Sequence, residues 1–367
     1  MNYIHQLEDW PNFKWNTEEF LGLLTEARNL QGRLFGKMDS LGFELRNEAF
    51  LDTITLDVLK SSEIEGEFLN EEQVRSSVAR KLGIEFAGTV ASDRNVDGVV
   101  EMLLDATQKY YQPLSADRLF DWNAALFPTG RSGIRKITVA DWRKDTTGPM
   151  QVVSGLMGRE KIHFQAPSAI HVEKEMNSFL DWFNNSDESD LVLKAAIAHL
   201  WFVTIHPFED GNGRMARALT DMLLAQSDKS EQRFYSMSAQ TRVERKGYYE
   251  ILEKTQKGNL DITDWIVWFL KCLINALKST EDILSEILYK SDFWKANADK
   301  KLNDRQKKLL NKILDGFEGK LTSAKWAEIA KCSKDSAIRD INDLIDKNIL
   351  EQEESGGRST SYRLRKS

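Results

Sequence analysis

Apolar residues recur at intervals of three and four along most of the chain, which is the spacing of amphipathic helices. The first such stretch runs from Thr17 to Leu41. A second covers Phe43 to Ser61 and is expected to end near Gly66, because glycine favours helix C-termini. Further helices are predicted at Asn95–Tyr111, Val172–Phe183, Leu191–Ile205, Met215–Ala225, Gly247–Thr255 and Thr263–Leu277. The pattern predicts a mainly helical protein.

One region departs from the helical period. Two β-prone segments, Met150–Val153 and Lys161–Phe164, lie on either side of a glycine-bearing turn. This arrangement predicts a β-hairpin inserted in the helical domain. A surface loop without strand pairing is the alternative.

The C-terminal segment has a different order of elements. Three short helices are predicted at Asn303–Phe317, Ser323–Ala330 and Ser336–Asn348, followed by strands at Ile349–Gln352 and Tyr362–Leu364 around a turn at Ser355–Ser359. This order is typical of a winged helix-turn-helix. The predicted fold is therefore all-α with a small hairpin and a C-terminal winged helix. The expected domains are a helical extension at 1–90, the main helical domain at 91–280, a linker helix at 281–302 and the winged helix at 303–367.

Composition narrows the class of protein. The 367 residues hold 50 Lys and Arg against 57 Asp and Glu, a formal charge of -7, which argues against broad coating of nucleic acid or anionic membrane. Two cysteines fit a reducing compartment and rule out a disulfide scaffold. The acidic, aromatic start does not resemble a signal peptide, and no run of about 18 apolar residues could span a bilayer. We expect a cytoplasmic protein.

A polar, glycine-rich turn separates two of the predicted helices. The helix Leu191–Ile205 must stop before Pro207, and the next helix begins after Gly211–Gly213. Free backbone N–H groups and the positive end of the helix dipole would therefore meet at this turn, where they favour an anion. The glycines allow close approach of phosphate oxygens.

Side chains around the turn suit phosphate transfer. Arg214 and Arg217 lie three residues apart, so both can reach one polyphosphate, and Asn212 can add a donor. Asp210 could hold a magnesium ion, and His206 could act as general base toward a hydroxyl. The alternative, in which the turn merely joins two helices and the arginines are solvated, requires all of these residue types to coincide by chance.

The stretch His206 to Arg217 resembles a known family. Its specified residues match the Fic motif, His-x-Phe-x-(Asp/Glu)-Gly-Asn-Gly-Arg-x-x-Arg, throughout, and the likeness extends over about Asn95 to Leu277. The resemblance implies an all-helical Fic fold and transfer of AMP from ATP to a protein hydroxyl. It implies that Phe208 anchors the loop and that Arg217 meets the γ-phosphate. A branch with a different donor chemistry carries lysine at the position of Gly213, so the glycine favours nucleotidyl transfer.

An upstream segment resembles the family's inhibitory pattern, (Ser/Thr)-x-x-x-Glu-(Gly/Asn). Ser61 and Glu65 are four residues apart, hence on one helix face, and Gly66 follows. The resemblance implies that Glu65 pairs with Arg217 and blocks the γ-phosphate position, which would place the protein in the class with an N-terminal inhibitory helix. A glutamate before a glycine at an ordinary helix end is the alternative.

Two further segments resemble family elements. Val152, Val153 and Ser154 correspond to a flap that pairs with an extended target segment, unless the hairpin only shields the core. Three residues are candidates for adenine contact: Tyr248, Tyr249 and Gln256. Tyrosines on a helix are as commonly packing residues.

A rival function is a nucleotide-sensing, DNA-binding regulator. The segment Lys320–Ser367 holds ten basic residues against eight acidic ones. Arg358, Arg363, Arg365 and Lys366 are candidate phosphate contacts, but the presumed recognition helix carries four aspartates (Asp335, Asp340, Asp343 and Asp346), which would repel phosphates unless they point away. The partners that these features allow are a protein hydroxyl, this chain itself, DNA or protein at the C-terminal segment, and a second copy in a homodimer, with no membrane. The target, the transferred group and any removal of AMP by the same enzyme stay open.

Overall fold

The computed structural model describes residues 3–39, 41–84, 90–145, 148–155, 161–186, 190–314, 319–353 and 360–365. Two compact units are present, Met1–Thr280 and Glu281–Ser367. The predicted turn at 355–359, with Arg358, and the predicted contact Lys366 lie outside the described residues. Within those ranges, no helix combines the length and the apolar character needed to cross a bilayer.

The first unit is built from helices that mostly follow the predicted pattern. They are α1 Leu21–Asp39, α2 Phe43–Ile64, α3 Glu71–Leu82, α4 Arg94–Gln108, α5 Ala116–Leu126, α6 Ala169–Asn185, α7 Leu191–Ile205, α8 Asn212–Asp228, α9 Met237–Val243, α10 Arg245–Gln256 and α11 Thr263–Ala296, which begins in this unit and extends past its last residue, Thr280. The sequence pattern did not predict α3, α5 or α9. The prediction for α11 was too short, because the helix continues past Leu277 into the charged segment.

The two longer helices that were missed have clear N-terminal caps. The Asn70 side chain accepts the N–H of Gln73 at the start of α3, and the Ser115 side chain accepts the N–H of Arg118 at the start of α5. Such caps satisfy N–H groups that the first turn leaves without partners. The caps were therefore a usable signal where the apolar period is weak.

Helix α7 forms the centre of the first unit. It is apolar on all sides and buried from Val192 to Ile205, which is the pattern of a core helix. Helix α8 packs along it, and Trp265 of α11 donates from its indole N–H to the Ala196 carbonyl of α7 at 2.8 Å. The loop between α7 and α8 is thereby held by the most buried part of the chain.

The predicted hairpin is confirmed. Strands β3 Gln151–Ser154 and β4 Lys161–Gln165 pair antiparallel, with Val152 opposite Phe164 and Val153 opposite Ile162. An additional small hairpin, β1 Arg131–Ser132 with β2 Arg135–Lys136, precedes it along the chain.

The second unit has its own apolar core. It contains helices α12 Asp304–Leu314, α13 Ser323–Ala330 and α14 Lys334–Asp346, then antiparallel strands β5 Leu350–Gln352 and β6 Tyr362–Leu364. Trp326 of α13 and Ile341 of α14 are fully buried in this core. The order of elements is the predicted one, and the assignment to the winged-helix class stays a prediction.

Candidate active site

The loop between α7 and α8 is closed by one buried side chain. Asn212 accepts the N–H of Phe208 at 3.0 Å and donates to the carbonyl of Phe208 at 2.9 Å. Its amide is therefore engaged with the loop itself, whereas the sequence suggested a donor to phosphate. Phe208 is fully buried and packs against Trp142, with ring centroids 5.2 Å apart. These contacts fix the loop on the core.

Two residues of the loop have left-handed backbone conformations. His206 has φ of 53° and ends α7, and Gly211 has φ of 87° and precedes α8. A Cβ on Gly211 would lie 3.0 Å from the ring of Phe127 and 3.1 Å from Leu126, so both conformation and space favour glycine. The first N–H groups of α8 are thus presented at the loop.

The His206 ring is poised as a neutral base. Burial lowers the pKa of His206 to about 4, so the ring is uncharged at neutral pH. Its Nδ1 lies 3.3 Å from the Val203 carbonyl, and a proton on Nδ1 donated to that oxygen leaves the Nε2 lone pair free to accept a proton.

A buried arginine, which sequence reasoning missed, holds this histidine. Arg143 donates from Nε to the His206 carbonyl at 2.7 Å and from its backbone N–H to the Pro207 carbonyl at 2.9 Å. The same guanidinium donates to the Pro167 carbonyl and to Asp145. Arg143 therefore joins the loop to the segment ahead of α6, over a sequence distance that no local pattern reveals.

The Arg217 guanidinium is enclosed by α2. It donates to the Ser61 hydroxyl at 2.9 Å, to the Ser61 carbonyl at 2.8 Å and to the Glu65 carboxylate at 2.8 Å, and its side chain is only 4% exposed. Burial works to lower the pKa of Arg217, but Glu65 and the nearby tyrosine side chains together raise it. The predicted contact between Glu65 and Arg217 is present, and the contact of Ser61 with the same guanidinium is an addition to it.

Glu65 also lies close to Gly213 at the start of α8. A Cβ built on Gly213 would be 2.1 Å from the Glu65 Oε1 and 3.3 Å from Arg217. Any side chain at 213 would displace the carboxylate, so Gly213 is needed for the contact between α2 and α8. The Glu65 carboxylate occupies the space beside the first turn of α8.

The second motif arginine is paired with a carboxylate that the sequence did not single out. Arg214 donates to Glu67 at 2.6 Å, and its guanidinium lies over the Phe127 ring, 5.1 Å from the centroid. The Arg214 side chain is 3% exposed and that of Glu67 47%. Both motif arginines of α8 are thus paired with carboxylates just after the end of α2, Glu65 and Glu67.

Asp210 is the candidate magnesium ligand. Its carboxylate accepts the N–H of Gly211 at 2.6 Å and the hydroxyl of Ser132 from β1. The described residues contain no group of three or more acidic, His or Cys side chains that could hold a metal ion. A single half-buried carboxylate still fits Mg²⁺, because Mg²⁺ in nucleotide sites takes one or two carboxylates and completes its shell with phosphates and water.

The three flap candidates lie on β3, beside the loop that precedes α6. Val152 is partly buried, whereas Val153 is 48% exposed. The Ser154 hydroxyl is 2.5 Å from His163 of β4, whose other ring nitrogen is 2.6 Å from Glu253 of α10. Hydrogen bonds from Lys257 and His163 lower the pKa of Glu253 to about 2. The hairpin is therefore tied to α10.

Of the three adenine candidates, two are directed into the core. Tyr248 donates or accepts at 2.8 Å with His199, and Gln256 donates to Thr204 at 3.2 Å; both side chains are buried. Tyr249 is partly exposed, lies under Arg245, and its hydroxyl is 3.5 Å from the Ile64 carbonyl at the end of α2. Adenine contact by these residues stays a prediction, and Tyr249 is the accessible one.

Comparison with known families agrees with this geometry. Residues 113–224, which include the loop and both arginines, match the Fic/DOC family. The chain carries a Fic domain. Residues 3–84, which include α2 and the following Glu65 and Glu67, match a domain of unknown function (DUF4172).

Curated relatives of the Fic domain are similar over short stretches. "Protein adenylyltransferase Fic" of Nematostella vectensis is 35% identical over 108 residues, which is 29% of this chain and 23% of that protein. A "Probable protein adenylyltransferase" of Aquifex aeolicus (strain VF5) is 30% identical over 101 residues, 28% of this chain and 29% of that protein. The chain thus spans about a quarter of the length of these relatives.

A solved structure supports the fold. The crystal structure of a Fic family protein from Desulfovibrio desulfuricans G20 superimposes with a TM-score of 0.54 at 21% identity, covering 96% of this chain and 97% of that one. The likeness shows that this chain has the Fic fold.

Proposed function

We propose that this chain is a protein adenylyltransferase, which moves AMP from ATP to a hydroxyl side chain of a target protein or of the chain itself. The observation that carries the proposal is a neutral His206 in the loop that leads into the first turns of α8, where Arg214 and Arg217 lie. A proton acceptor and two buried cations at a helix N-terminus are what nucleotidyl transfer to a hydroxyl requires. The names of the curated relatives agree with this activity.

The proposed step is a displacement at the α-phosphorus. The target hydroxyl oxygen forms a bond to that phosphorus, the bond to the bridging oxygen of the β-phosphate breaks, and pyrophosphate leaves. His206 takes the hydroxyl proton at Nε2. The N–H groups around Gly211–Gly213 and the two arginines stabilise the phosphate charge. Mg²⁺ held by Asp210 would neutralise further charge when bound with the nucleotide.

We further propose that Glu65 restrains this activity. Arg217 cannot bind a γ-phosphate at the NH2 group that Glu65 already occupies. In this contact the Arg217 side chain is buried, whereas that of Glu65 is partly exposed. Removing one member of such a pair frees the other. A role of Glu65 in removing AMP from a target is an alternative that uses the same carboxylate.

Intact-protein mass after incubation with ATP and magnesium tests the proposal. We expect an added AMP group on this chain or on an offered protein, more of it with Glu65→Gly, and a loss of roughly 100-fold or more with His206→Ala, which removes the general base. Equal labelling of all three proteins would contradict the catalytic assignment. An added mass other than AMP would identify a different transferred group.

A second candidate function is DNA binding by the C-terminal unit. Two of the four aspartates on α14 have partners within the unit: Asp340 is buried and pairs with Arg305 at 2.9 Å, and Asp343 accepts from Gln306 at 2.7 Å. This supports the idea by removing part of the repulsion. Against it, Arg363 already donates to Glu351 and Arg365 to Asn348.

A further inference from the structure

Two carboxylates two residues apart each pair with one of the two motif arginines in the first turns of α8. Glu65 contacts Arg217 at 2.8 Å and Glu67 contacts Arg214 at 2.6 Å. Between them Gly66 has φ of 85°, a left-handed conformation that allows the chain to turn as α2 ends. The N–H of Glu67 donates to the Ser62 carbonyl at 3.0 Å, which fixes the turn to the helix.

The pair between Glu67 and Arg214 is more than a surface contact. Arg214 is 3% exposed, and among the residues described Glu67 is the carboxylate that ion-pairs with it. Its Nε is buried without a hydrogen-bond partner there. A buried guanidinium needs a counter-charge, and in the proposed reaction a nucleotide phosphate is the other anion that can supply one.

We propose that Glu67 is a second inhibitory carboxylate, which competes with nucleotide phosphate for Arg214 independently of Glu65. The inference rests on the proposed function, because it takes Arg214 as a phosphate ligand. Glu65 and Glu67 together place two negative charges against the two arginines, so α2 and the turn after it occupy the phosphate site as a dicarboxylate. Full opening of the site requires release of both.

Affinity for ATP in a His206→Ala background, where no transfer occurs, tests this by calorimetry. Glu67→Gln is expected to tighten ATP binding about fivefold, the equivalent of about 1 kcal/mol, because Glu67 is half exposed and partly screened. The double variant Glu65→Gly/Glu67→Gln is expected to bind more tightly than Glu65→Gly alone. Glu71→Gln is the control, since it removes an exposed charge from the same segment without a contact to the loop.

The choice of nucleotide and the salt concentration distinguish the effect of Glu67 on binding from that of Glu65. With ADP, which lacks the γ-phosphate, the increase from Glu67→Gln should persist while that from Glu65→Gly shrinks. Raising salt from about 0.05 M to about 0.5 M should reduce the increase from Glu67→Gln, because a half-exposed charge is screened.

A stability measurement supplies a second readout. Glu67→Gln should lower Tm without nucleotide, because Arg214 stays buried without a counter-charge, and saturating ATP should raise Tm by more than it does in the parent. If Glu67→Gln does not fold, Glu67→Asp, which keeps the charge but shortens the reach, should tighten ATP binding to a smaller extent.

The ATP affinities of these variants separate the role of Glu67 from the proposed adenylyltransferase activity. Unchanged ATP affinity in Glu67→Gln, with tighter binding in Glu65→Gly, would overturn the role of Glu67 and leave the adenylyltransferase proposal intact. An equal increase in Glu71→Gln would reduce the effect to overall charge and also overturn it. Absence of ATP binding in every variant would count against the proposed function itself.

Discussion

Two histidines of the Fic domain, the buried His199 and the partly exposed His206, differ in what their ring nitrogens contact. His199 lies between Thr220 at 2.9 Å and Tyr248 at 2.8 Å, so both nitrogens are used in the core. His206 has a protein partner for Nδ1. This difference separates a packing histidine from a candidate base: both are held neutral by burial, but only His206 keeps a nitrogen for a substrate proton.

The neutral, buried His199 contributes to the pH dependence of stability. Burial lowers the pKa of His199 to about 3, below its usual value of about 6.5, so the unfolded chain binds a proton that the folded chain excludes between these limits. This contribution to stability is present above about pH 6.5 and is lost as pH falls. From pH 6.5 to pH 5 the loss is about 2 kcal/mol.

Comparison with His199→Gln isolates this effect. Burial raises the pKa of Asp228 to about 6, which has the opposite sign, so the wild-type curve alone is a mixture. Urea unfolding at a series of pH values should show the wild type losing about 2 kcal/mol relative to His199→Gln between pH 6.5 and pH 5. A constant difference between the two proteins over that range would contradict a neutral buried His199.

The functional groups that could be identified from the sequence are those that lie close together along the chain. His206 to Arg217 could be interpreted because one turn and one helix start specify their geometry. Ser61 and Glu65 were found through a family resemblance. Arg143 and Glu67 were not found, because each acts on a residue far away in sequence and an isolated arginine or glutamate carries no periodic signal.

Between elements, α2 and α8 meet along matched polar faces. Ser61 in the last turn of α2 contacts Arg217 of α8, and Glu65, which caps α2, contacts both Arg217 and Gly213 of α8. The four-residue step from Ser61 to Glu65, and that from Gly213 to Arg217, could be read from the sequence. The sequence could not show which faces of the two helices meet, because that contact depends on how the core orients both helices.

Close approach of α4 and α5 supports the other side of the loop. A Cβ on Gly98 would lie 1.8 Å from the Ala125 carbonyl, so the two backbones must separate if any side chain is added. Helix α5 leads into Phe127, which contacts Arg214. Gly98→Ala is therefore expected to destabilise the fold by roughly 2–3 kcal/mol through overpacking and to weaken ATP binding.

Gly247→Ala is the matched control. Its added Cβ would come no closer than 3.7 Å, to Trp268, and the residue lies within α10. Replacing a helical glycine where space exists should stabilise the protein by about 0.5–1 kcal/mol. Thermal unfolding should thus show opposite signs for the two variants, and a similar fall in Tm for both would contradict the assignment of Gly98 to a backbone contact.

The formal charge of -7 does not show how basic side chains are paired in each of the two units. In the first unit, Arg214 and Arg217 of α8 are buried, and each is paired with a carboxylate from the end of α2 or the turn after it. In the second unit, basic residues of β6 and its end are likewise engaged, by Glu351 and Asn348. Net charge excluded broad nucleic-acid coating but could not show where individual cations are already occupied.

The two compact units predict separable functions. The buried residues of the second unit, among them Leu310, Trp326 and Leu344, form a core of their own, and the whole candidate active site lies in Met1–Thr280. We expect a chain ending at Thr280 to remain folded and to keep His206-dependent labelling with ATP. Circular dichroism melting and intact mass would check this, with His206→Ala in the shortened chain as control.

Binding of duplex DNA can be measured to test the second unit. The outer face of α14 balances Lys334 and Arg339 against Asp335 and Asp346, and phosphate contacts need an excess of cations. We therefore expect no mobility shift of duplex DNA at about 0.15 M salt, where screening leaves only strong phosphate contacts. A shift that survives His206→Ala and disappears on deletion of Lys320–Ser367 would instead establish the second unit as a DNA-binding module.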